Sequence, residues 1–485
     1  VPVSASYYFL TELLREEYGF DGYVVSDSEA VEFVESKHHV ADTYDEAVRQ
    51  VLEAGLNVRT HFTPPSDFIL PVRRLLEEKK ISMAVIDKRV SEVLRVKFRL
   101  GLFDQPYVAD TKAADRVGGA DRNMDFVKQM QQQALVLLKN ENNILPLDKR
   151  QIKKVLVTGP LADEDNFMTS RYGPNGLETV TVLAGLRNYL KGIAEVDYAK
   201  GCDIVDAGWP ATEILPAPMS EQEKQGIAEA VAKAGESDVI IAVLGEDEYR
   251  TGESRSRTSL DLPGRQQQLL EALHATGKPV ILVLINGQPL TVNWANAYIP
   301  AILESWFPGC QGGTVIAETL FGEHNPGGKL TVTFPKSVGQ IELNFPFKPG
   351  SHGAQPHSGP NGSGATRVFG ELYPFGFGLS YARLSYGPLT LSAPTLAAHE
   401  TLVAETTLTN ASDRAVSETV QCYLTPPLDW PEAPLATLIG FQKLSVPAHT
   451  TVAVRFTLPA TSFAQIDAAG RSVHAPGSYG LVVGS

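Results

Sequence analysis

Cysteine is scarce in this sequence: only Cys202, Cys310 and Cys422 occur in 485 residues. Three scattered cysteines are too few for a disulfide scaffold or a cysteine-bound metal cluster. The sequence also lacks any run of 18 or more apolar residues, so no membrane span is predicted. Residues 1–8 have neither a basic start nor an apolar core and do not resemble a signal peptide.

Positive charge is in deficit as well. Lys and Arg number 42 against 56 Asp and Glu, which gives a formal net charge of −14. Nucleic acids and anionic membranes select basic surfaces, so neither is predicted as a partner, whereas a neutral carbohydrate is compatible with this charge. The hydrophobic content of 43% and charged content of 20% are typical of a globular protein, and the length allows about three domains.

One stretch, residues 19–28 (GFDGYVVSDS), joins an apolar run to an abrupt polar end. It predicts a buried parallel strand whose carboxyl end presents Asp27 to solvent, followed by a helix over residues 29–35. This is the end of the strands at which α/β barrels hold their catalytic residues. In a second interpretation, Asp27 or Ser26 simply caps the following helix.

The first 105 residues alternate helices with strands, which is typical of a parallel α/β fold. Predicted helices cover residues 11–17, 44–54, 71–78 and 86–100, and a second strand covers residues 56–60. A complete (β/α)₈ barrel takes about 250 residues. We therefore expect residues 1–105 to be the C-terminal portion of such a barrel, whose first strands come from sequence outside this chain, from a second chain or from a homodimer.

After a linker at residues 106–118, residues 119–340 are predicted to form a mostly parallel α/β sandwich domain. Uninterrupted apolar runs alternate there with helical stretches. The predicted strands are 155–158, 239–244, 280–285 and 301–307, and the helices are 221–234 and 265–275. A helix from Asp121 is expected to continue through Leu137 and Leu138.

Residues 341–380 are predicted to be an irregular segment because residues 348–366 are rich in Gly, Ser, Pro and His. From residue 381 to 485 the pattern changes to period-two alternation, which is typical of a β-sandwich. Val420, Cys422 and Leu424 should face inward, and Gln421 and Tyr423 outward.

Several of these motifs resemble glycoside hydrolase family 3, of the three-domain β-glucosidase-like type. Besides residues 19–28, the matching segments are residues 134–140, 144–147, 325–330, 334–335 and 372–381. The resemblance implies that Asp27 is the nucleophile, that the first part of the barrel is missing here, and that residues 381–485 are fibronectin type III-like. It also implies a retaining, exo-acting β-glucosidase, periplasmic or secreted, that acts on oligosaccharides or β-glucosides without a cofactor.

Cleavage of a glycosidic bond requires a second carboxyl group to protonate the leaving oxygen. The polar loop after the strand predicted at 239–244 contains four acids, Glu246, Asp247, Glu248 and Glu253. Their spacing does not choose among them. The resemblance matches Glu253, followed by Arg257, to the acid/base residue of the family, with Glu248 as the alternative. A solvated acidic loop balanced by arginines is the non-catalytic interpretation.

Candidate sugar-binding residues are Ser28, next to Asp27, and Arg171 and Tyr172, in a loop of the second domain. Ser28 stands where many β-glucosidases of the family have tryptophan, and residues 38–43 resemble the β-xylosidase branch. A β-xylosidase or arabinofuranosidase is therefore the first alternative, and a non-catalytic carbohydrate-binding remnant the second. The histidines at 38, 39 and 61 are interpreted as loop residues, and no metal is predicted.

Overall fold

The computed structural model describes residues 2–118, 120–166, 170–173, 177–340, 342–351, 368–427, 429–430 and 433–485. By internal contacts the chain divides into two compact units, Val1–Gly119 and Ala120–Ser485. Most of the predicted irregular segment at 348–366 lies outside the described residues. Among the described helices, none combines the length and apolarity that crossing a bilayer requires.

The first unit contains two parallel strands surrounded by helices. The strands are β1 (Val25–Ser28) and β2 (Val58–Thr60), and Val25 pairs with Val58. The helices are a π-helix (Tyr8–Glu17), α1 (Glu32–Ser36), α2 (Tyr44–Ala54), α3 (Ser66–Glu77), α4 (Met83–Arg99) and α5 (Ala113–Gly118). The alternation of helix and strand predicted for this region is confirmed. The prediction that the strand before Asp27 is buried was wrong: in β1 only Ser26 is buried, and Val25 is 49% exposed.

Helix α2 shows why the sequence forms these elements. The Thr43 side chain accepts a hydrogen bond from the Glu46 N–H at its start, and Gly55 ends it at φ 126°. Its buried face, which includes Val48 and Val51, packs into the core of the unit. The prediction that the next helix begins at Pro71 was wrong: α3 begins five residues earlier, and Pro71 lies buried within it.

The second unit is built on a six-stranded sheet. Its strands are β3 (Val136–Asn140), β4 (Lys154–Thr158), β5 (Glu195–Ala199), β6 (Val239–Gly245), β7 (Val280–Ile285) and β8 (Ala301–Glu304). They are arranged in the order β3-β8-β7-β6-β4-β5. All neighbours are parallel except β3, which runs antiparallel to β8. The mostly parallel sheet is thus confirmed.

Both faces of this sheet are covered by helices. The helices are α6 (Asp121–Ala134), α7 (Val182–Tyr189), α8 (Glu221–Gly235), α9 (Gln266–His274), α10 (Asn293–Tyr298) and α11 (Gly312–Leu320). Along β6, Ile241 and Val243 join a core with α7 and α11, while Ile240 and Leu244 join a second core with α8 and α9. Every residue of β6 is buried, as a strand between two helical layers requires.

The prediction that one helix continues from Asp121 through Leu138 was wrong. Helix α6 ends at Ala134, and Leu137 and Leu138 lie in β3, where each is almost fully buried. A short apolar run fits a buried strand and a buried helix equally well. Pairing with β8, which lies far away in the sequence, decided between them.

The rest of the second unit is an antiparallel β-sandwich. Its strands are β9 (Leu384–Tyr386), β10 (Thr390–Leu391), β11 (Leu402–Asn410), β12 (Val416–Thr425), β13 (Thr437–Val446), β14 (Thr451–Leu458), β15 (Gln465–Ile466), β16 (Ser472–Val473) and β17 (Gly480–Gly484). One sheet contains β9, β10, β11 and β14, and the facing sheet has the order β13-β12-β17.

The predicted inward residues Val420, Cys422 and Leu424 are buried in the sandwich core or at its edge. Gln421, predicted to face outward, is only 4% exposed. Its side-chain amide donates to the carbonyl of Gly376 at 2.9 Å. The outer face of this sheet is therefore covered by the segment around Gly376, which alternation along the strand does not reveal.

Candidate active site

Asp27 lies at the carboxyl end of β1 with an exposed side chain. The backbone N–H of Ser28 donates to its Oδ1 at 2.7 Å. Ser26, one residue earlier, is buried; its hydroxyl accepts from the Thr60 N–H at 2.9 Å and donates to the Asp27 carbonyl at 2.8 Å. The Ser26 side chain thereby links β1 to β2 directly before Asp27.

The capping interpretation of Asp27 is not supported by the helix that follows it. No side chain caps the first turn of α1, which begins at Glu32. The chain turns after β1 through Glu29, which adopts a left-handed φ of 61°. A non-glycine residue in this region costs on the order of 1 kcal/mol, and such residues concentrate at functional sites.

A buried polar network connects the residues before β1 and β2 to α4. The side-chain Oδ1 of Asn57 accepts from the Val24 N–H at 2.9 Å, and its amide donates to Glu92 at 2.6 Å. Glu92 also pairs with Arg89 and Arg15. These contacts fix the position of the beginning of both strands relative to α4.

Ser28 is half-buried and adjacent to Asp27. His61, after β2, has its Nε2 3.8 Å from Glu29 Oε1, and its Nδ1 accepts from the Thr63 N–H at 2.9 Å. Within the described ranges, no group of three or more His, Cys, Asp or Glu side chains is arranged to hold a metal ion.

In the second unit, the acidic loop begins at the carboxyl end of β6. Two of its four acids are buried and bound by arginines. Glu246 is fully buried and paired with Arg257, and Asp247 is 3% exposed and paired with Arg250. The interpretation of a solvated acidic loop balanced by arginines is wrong for these two acids, because the acids and their arginines are all largely buried.

Glu253 is exposed at the far part of the same loop. The Tyr172 hydroxyl donates to Glu253 Oε2 at 2.6 Å, and Arg171 Nη1 donates to the Glu253 carbonyl at 3.0 Å. The Arg171 guanidinium lies 5.8 Å from the centre of the Tyr172 ring. Three predicted site residues, from two loops more than 80 residues apart, therefore meet at Glu253: Tyr172 at its carboxylate and Arg171 at its backbone carbonyl.

Asp27 and Ser28 are neighbours in the first unit, while Glu253, Arg171 and Tyr172 meet in the second. The pairing of Asp27 with Glu253 stays a prediction. Glu248, the alternative acid, is half-buried.

Sequence reasoning missed Glu304, the last residue of β8. It is fully buried; its Oε1 accepts from the Trp306 N–H at 2.7 Å, and its Oε2 from the Asn286 amide at 3.2 Å. Burial raises the pKa of Glu304 to about 8. The only signal in the sequence was an acid that ends an apolar run.

The second unit combines a mostly parallel sheet, covered by helices on both faces, with an antiparallel β-sandwich, and a polar loop lies at the carboxyl edge of the sheet. This combination is typical of a class of multidomain proteins with α/β and β domains. Within that class, an exposed aspartate at a strand end and an exposed glutamate on a loop are the carboxyl groups that glycoside hydrolases use. Comparison with known proteins identifies the family.

Residues 135–381 match the glycosyl hydrolase family 3 C-terminal domain, and residues 1–96 match the family 3 N-terminal domain. Residues 418–485 match a fibronectin type III-like domain. The chain belongs to glycosyl hydrolase family 3.

Two curated relatives cover almost the entire chain. A β-xylosidase of Formosa agariphila is 34% identical over 100% of this chain and 66% of its own length. A periplasmic β-glucosidase of Salmonella typhimurium is 35% identical over 94% of this chain and 61% of its own length. The chain thus spans less than two thirds of each.

Two solved structures also match the whole chain with part of their own length. A β-glucosidase from Erythrobacter marinus superposes with a TM-score of 0.84 at 33% identity, covering all of this chain and 64% of that one. A β-glucosidase from Listeria innocua in complex with isofagomine gives a TM-score of 0.86 at 29% identity, with coverage of 100% and 65%.

Proposed function

We propose that this chain acts as a retaining, exo-acting β-glucosidase that removes terminal non-reducing β-D-glucosyl residues from oligosaccharides or other β-glucosides. Asp27 is the nucleophile and Glu253 the general acid/base. The observation that carries the proposal is the difference in exposure and pairing among the acids after β6. Glu253 is exposed and accepts a hydrogen bond from Tyr172, whereas Glu246 and Asp247 are buried and paired with largely buried arginines.

The two carboxyl groups have successive roles. The Asp27 carboxylate attacks the anomeric carbon, while Glu253 gives its proton to the departing oxygen. Glu253 then takes a proton from the water that cleaves the Asp27 ester, and two inversions give net retention. This mechanism requires about 5–5.5 Å between the carboxyl groups in the working enzyme.

The remaining site residues have supporting roles in this proposal. Ser28, adjacent to Asp27, contacts a sugar hydroxyl. Arg171 and Tyr172 orient Glu253 through their hydrogen bonds, and the exposed Tyr172 ring contacts the leaving group. The first unit, with parallel β1 and β2, corresponds to the C-terminal portion of a (β/α)₈ barrel.

A β-xylosidase or arabinofuranosidase is the second candidate, favoured by the similarity of the whole chain to a relative named β-xylosidase. Initial rates on the 4-nitrophenyl β-glucoside, β-xyloside and α-arabinofuranoside decide between them. We expect the glucoside to give the highest kcat/KM, and a higher value on either of the others would overturn the choice of sugar.

The nucleophile is tested by Asp27→Asn, which should lower kcat by on the order of 10³-fold or more. Asp21→Asn is the matched control, because Asp21 is an exposed aspartate of the same segment that pairs with Arg99. It should keep activity within about twofold, since exposed pairs contribute little.

A 2-deoxy-2-fluoro glucoside should leave a covalent adduct on the Asp27 peptide, detected by mass spectrometry, and proton NMR should show the β-anomer as first product. No adduct and no turnover on any of the three glycosides would instead favour the non-catalytic remnant.

A further inference from the structure

The loop that carries Glu253 is closed at its base by a buried ion pair. Glu246 begins the loop directly after β6, and Arg257 follows Glu253 on the returning limb. Their side chains, 0% and 4% exposed, contact each other through Arg257 Nη1 and Glu246 Oε1. The Gln288 amide donates to the same Glu246 oxygen at 2.8 Å, and Arg257 Nη2 donates to the Asp261 carbonyl at 2.8 Å.

A separate segment, residues 209–213, contacts both limbs of this loop. Glu213 Oε2 accepts from the N–H and hydroxyl of Thr258, at 3.2 and 2.6 Å, and Glu213 Oε1 lies 3.5 Å from Arg257 Nε. The indole of Trp209 donates to Glu213 at 2.8 Å, and its ring lies 4.5 Å from the Arg250 guanidinium. Arg257 is therefore held between two carboxylates, one at the loop base and one on the neighbouring segment.

An arginine buried to this extent loses hydration that its pairs must replace. Burial lowers the pKa of Arg257, and the nearby Glu213 and Asp261 oppose that effect. Arg255, two residues earlier, differs: it is exposed and forms no ion pair with any residue the structure describes. The loop thus contains two arginines of the same charge, of which one is built into its base.

We infer that Arg257 is a positioning residue for the acid/base: by joining Glu246 to Glu213 it fixes the loop geometry that places Glu253 at the leaving oxygen. This inference rests on the proposed function, because it assigns a purpose to the loop only if Glu253 transfers the proton. Arg257 itself has no contact with the reacting atoms in this assignment.

The test uses Arg257→Met, Arg257→Lys and the pair Glu246→Gln/Arg257→Met, with Arg255→Met as the matched control. The double variant removes both charges of the pair at the loop base, so it separates loss of that pair from the effect of leaving Glu246 buried without its cation. Two quantities are measured for each protein: amide hydrogen exchange of residues 246–259, and kcat/KM on aryl glycosides with a poor leaving group (phenyl) and a good one (2,4-dinitrophenyl).

A misplaced proton donor harms only the substrate that needs protonation. For Arg257→Met and for the double variant we expect faster exchange in residues 246–259 and at least about a tenfold loss on the phenyl glycoside. The dinitrophenyl glycoside should change less than about twofold, Arg257→Lys should recover part of the loss, and Arg255→Met should match the wild type. Unchanged exchange, or equal losses on both glycosides, would overturn the inference.

Glu253→Gln separates this inference from the proposed function. If Glu253→Gln shows the selective loss on the phenyl glycoside and the Arg257 variants do not, Arg257 is not a positioning residue but Glu253 remains the acid. If Glu253→Gln itself shows no selective loss, the acid/base assignment fails first, and the assigned role of Arg257 fails with it.

Discussion

Carboxyl groups of the same chemical type occupy three different environments in this protein. Glu253 is exposed, Glu246 is buried against Arg257, and Glu304 is buried with only backbone and amide donors. Since charge is costly in a buried site without a cation, burial raises the pKa of Glu304 to about 8. Environment, and not residue type, decides which of these acids is available for proton transfer.

Glu304 should therefore make stability depend on pH. Between the ordinary carboxyl pKa of 4.5 and about 8, the unfolded chain ionises Glu304 while the folded protein keeps it protonated. Unfolding then releases a proton, so the free energy of unfolding falls as pH rises. Glu304→Gln should remove a decline on the order of 3 kcal/mol between pH 5 and 8, measured by urea denaturation.

The control for this measurement is Glu221→Gln, since the Glu221 side chain is 90% exposed and pairs only with Lys224 among the described residues. It should leave the pH dependence as in the wild type. An identical decline in Glu304→Gln and wild type would mean that Glu304 is ionised in the folded protein at neutral pH.

At the scale of elements, the packing of α7 against α11 depends on two glycines. A Cβ added at Gly185 of α7 would lie 2.1 Å from the carbonyl oxygen of Gly313 on α11. The backbones of the two helices are therefore in direct contact at these glycines. Together the helices cover one face of the sheet. A side chain at either position would push α7 or α11 away from the core.

Gly185→Ala should lower the free energy of unfolding by about 1–3 kcal/mol, because overpacking a rigid contact forces backbone shifts. Gly235→Ala, in the last turn of α8, is the control: a Cβ there meets nothing within 4 Å. It should be neutral or stabilising by up to about 1 kcal/mol, since alanine favours helix. Thermal and urea denaturation of both variants measure the difference, and equal stabilities would contradict the close-contact argument.

At the scale of the whole molecule, a buried ion pair links the parallel-sheet part of the second unit to its sandwich. Lys329 Nζ lies 2.8 Å from Glu418 Oε1 on β12, with side chains 8% and 1% exposed. Lys329 also donates to the Gly378 carbonyl at 2.7 Å. The pair couples the sandwich to the rest of the unit, because breaking it within the packed interface would leave two buried charges unpaired.

Lys329→Met should destabilise the protein by about 3–5 kcal/mol, because Glu418 remains buried without its cation. The double variant Lys329→Met/Glu418→Gln should recover most of that loss. Calorimetry is the measurement: the single variant should show the sandwich unfolding at a lower temperature than the sheet. A single variant as stable as the wild type would show that the pair contributes nothing to the coupling.

The sequence by itself determined the elements whose signal is local. The uninterrupted runs of β6 and β7 and the alternation along β12 each reflect the burial of neighbouring residues in one strand. The apolar run ending in Ser26 and Asp27 correctly indicated a strand, β1, although not its burial. The family motifs and their order were enough to determine the family, since recognising them requires only residue identities. Glu253 was identified through that resemblance, and Arg171 and Tyr172 as polar and aromatic residues of a loop, but the contact among the three was not predicted.

Only the tertiary structure decided what depends on residues distant in the chain. Leu137 and Leu138 belong to a strand because β3 pairs with β8, and Gln421 is buried because the segment around Gly376 covers it. Glu246 and Asp247 are held in buried pairs, while Glu253 reaches solvent, although all three share one polar loop. The physical reason is that burial and charge pairing are set by long-range neighbours, which neither periodicity nor composition contains.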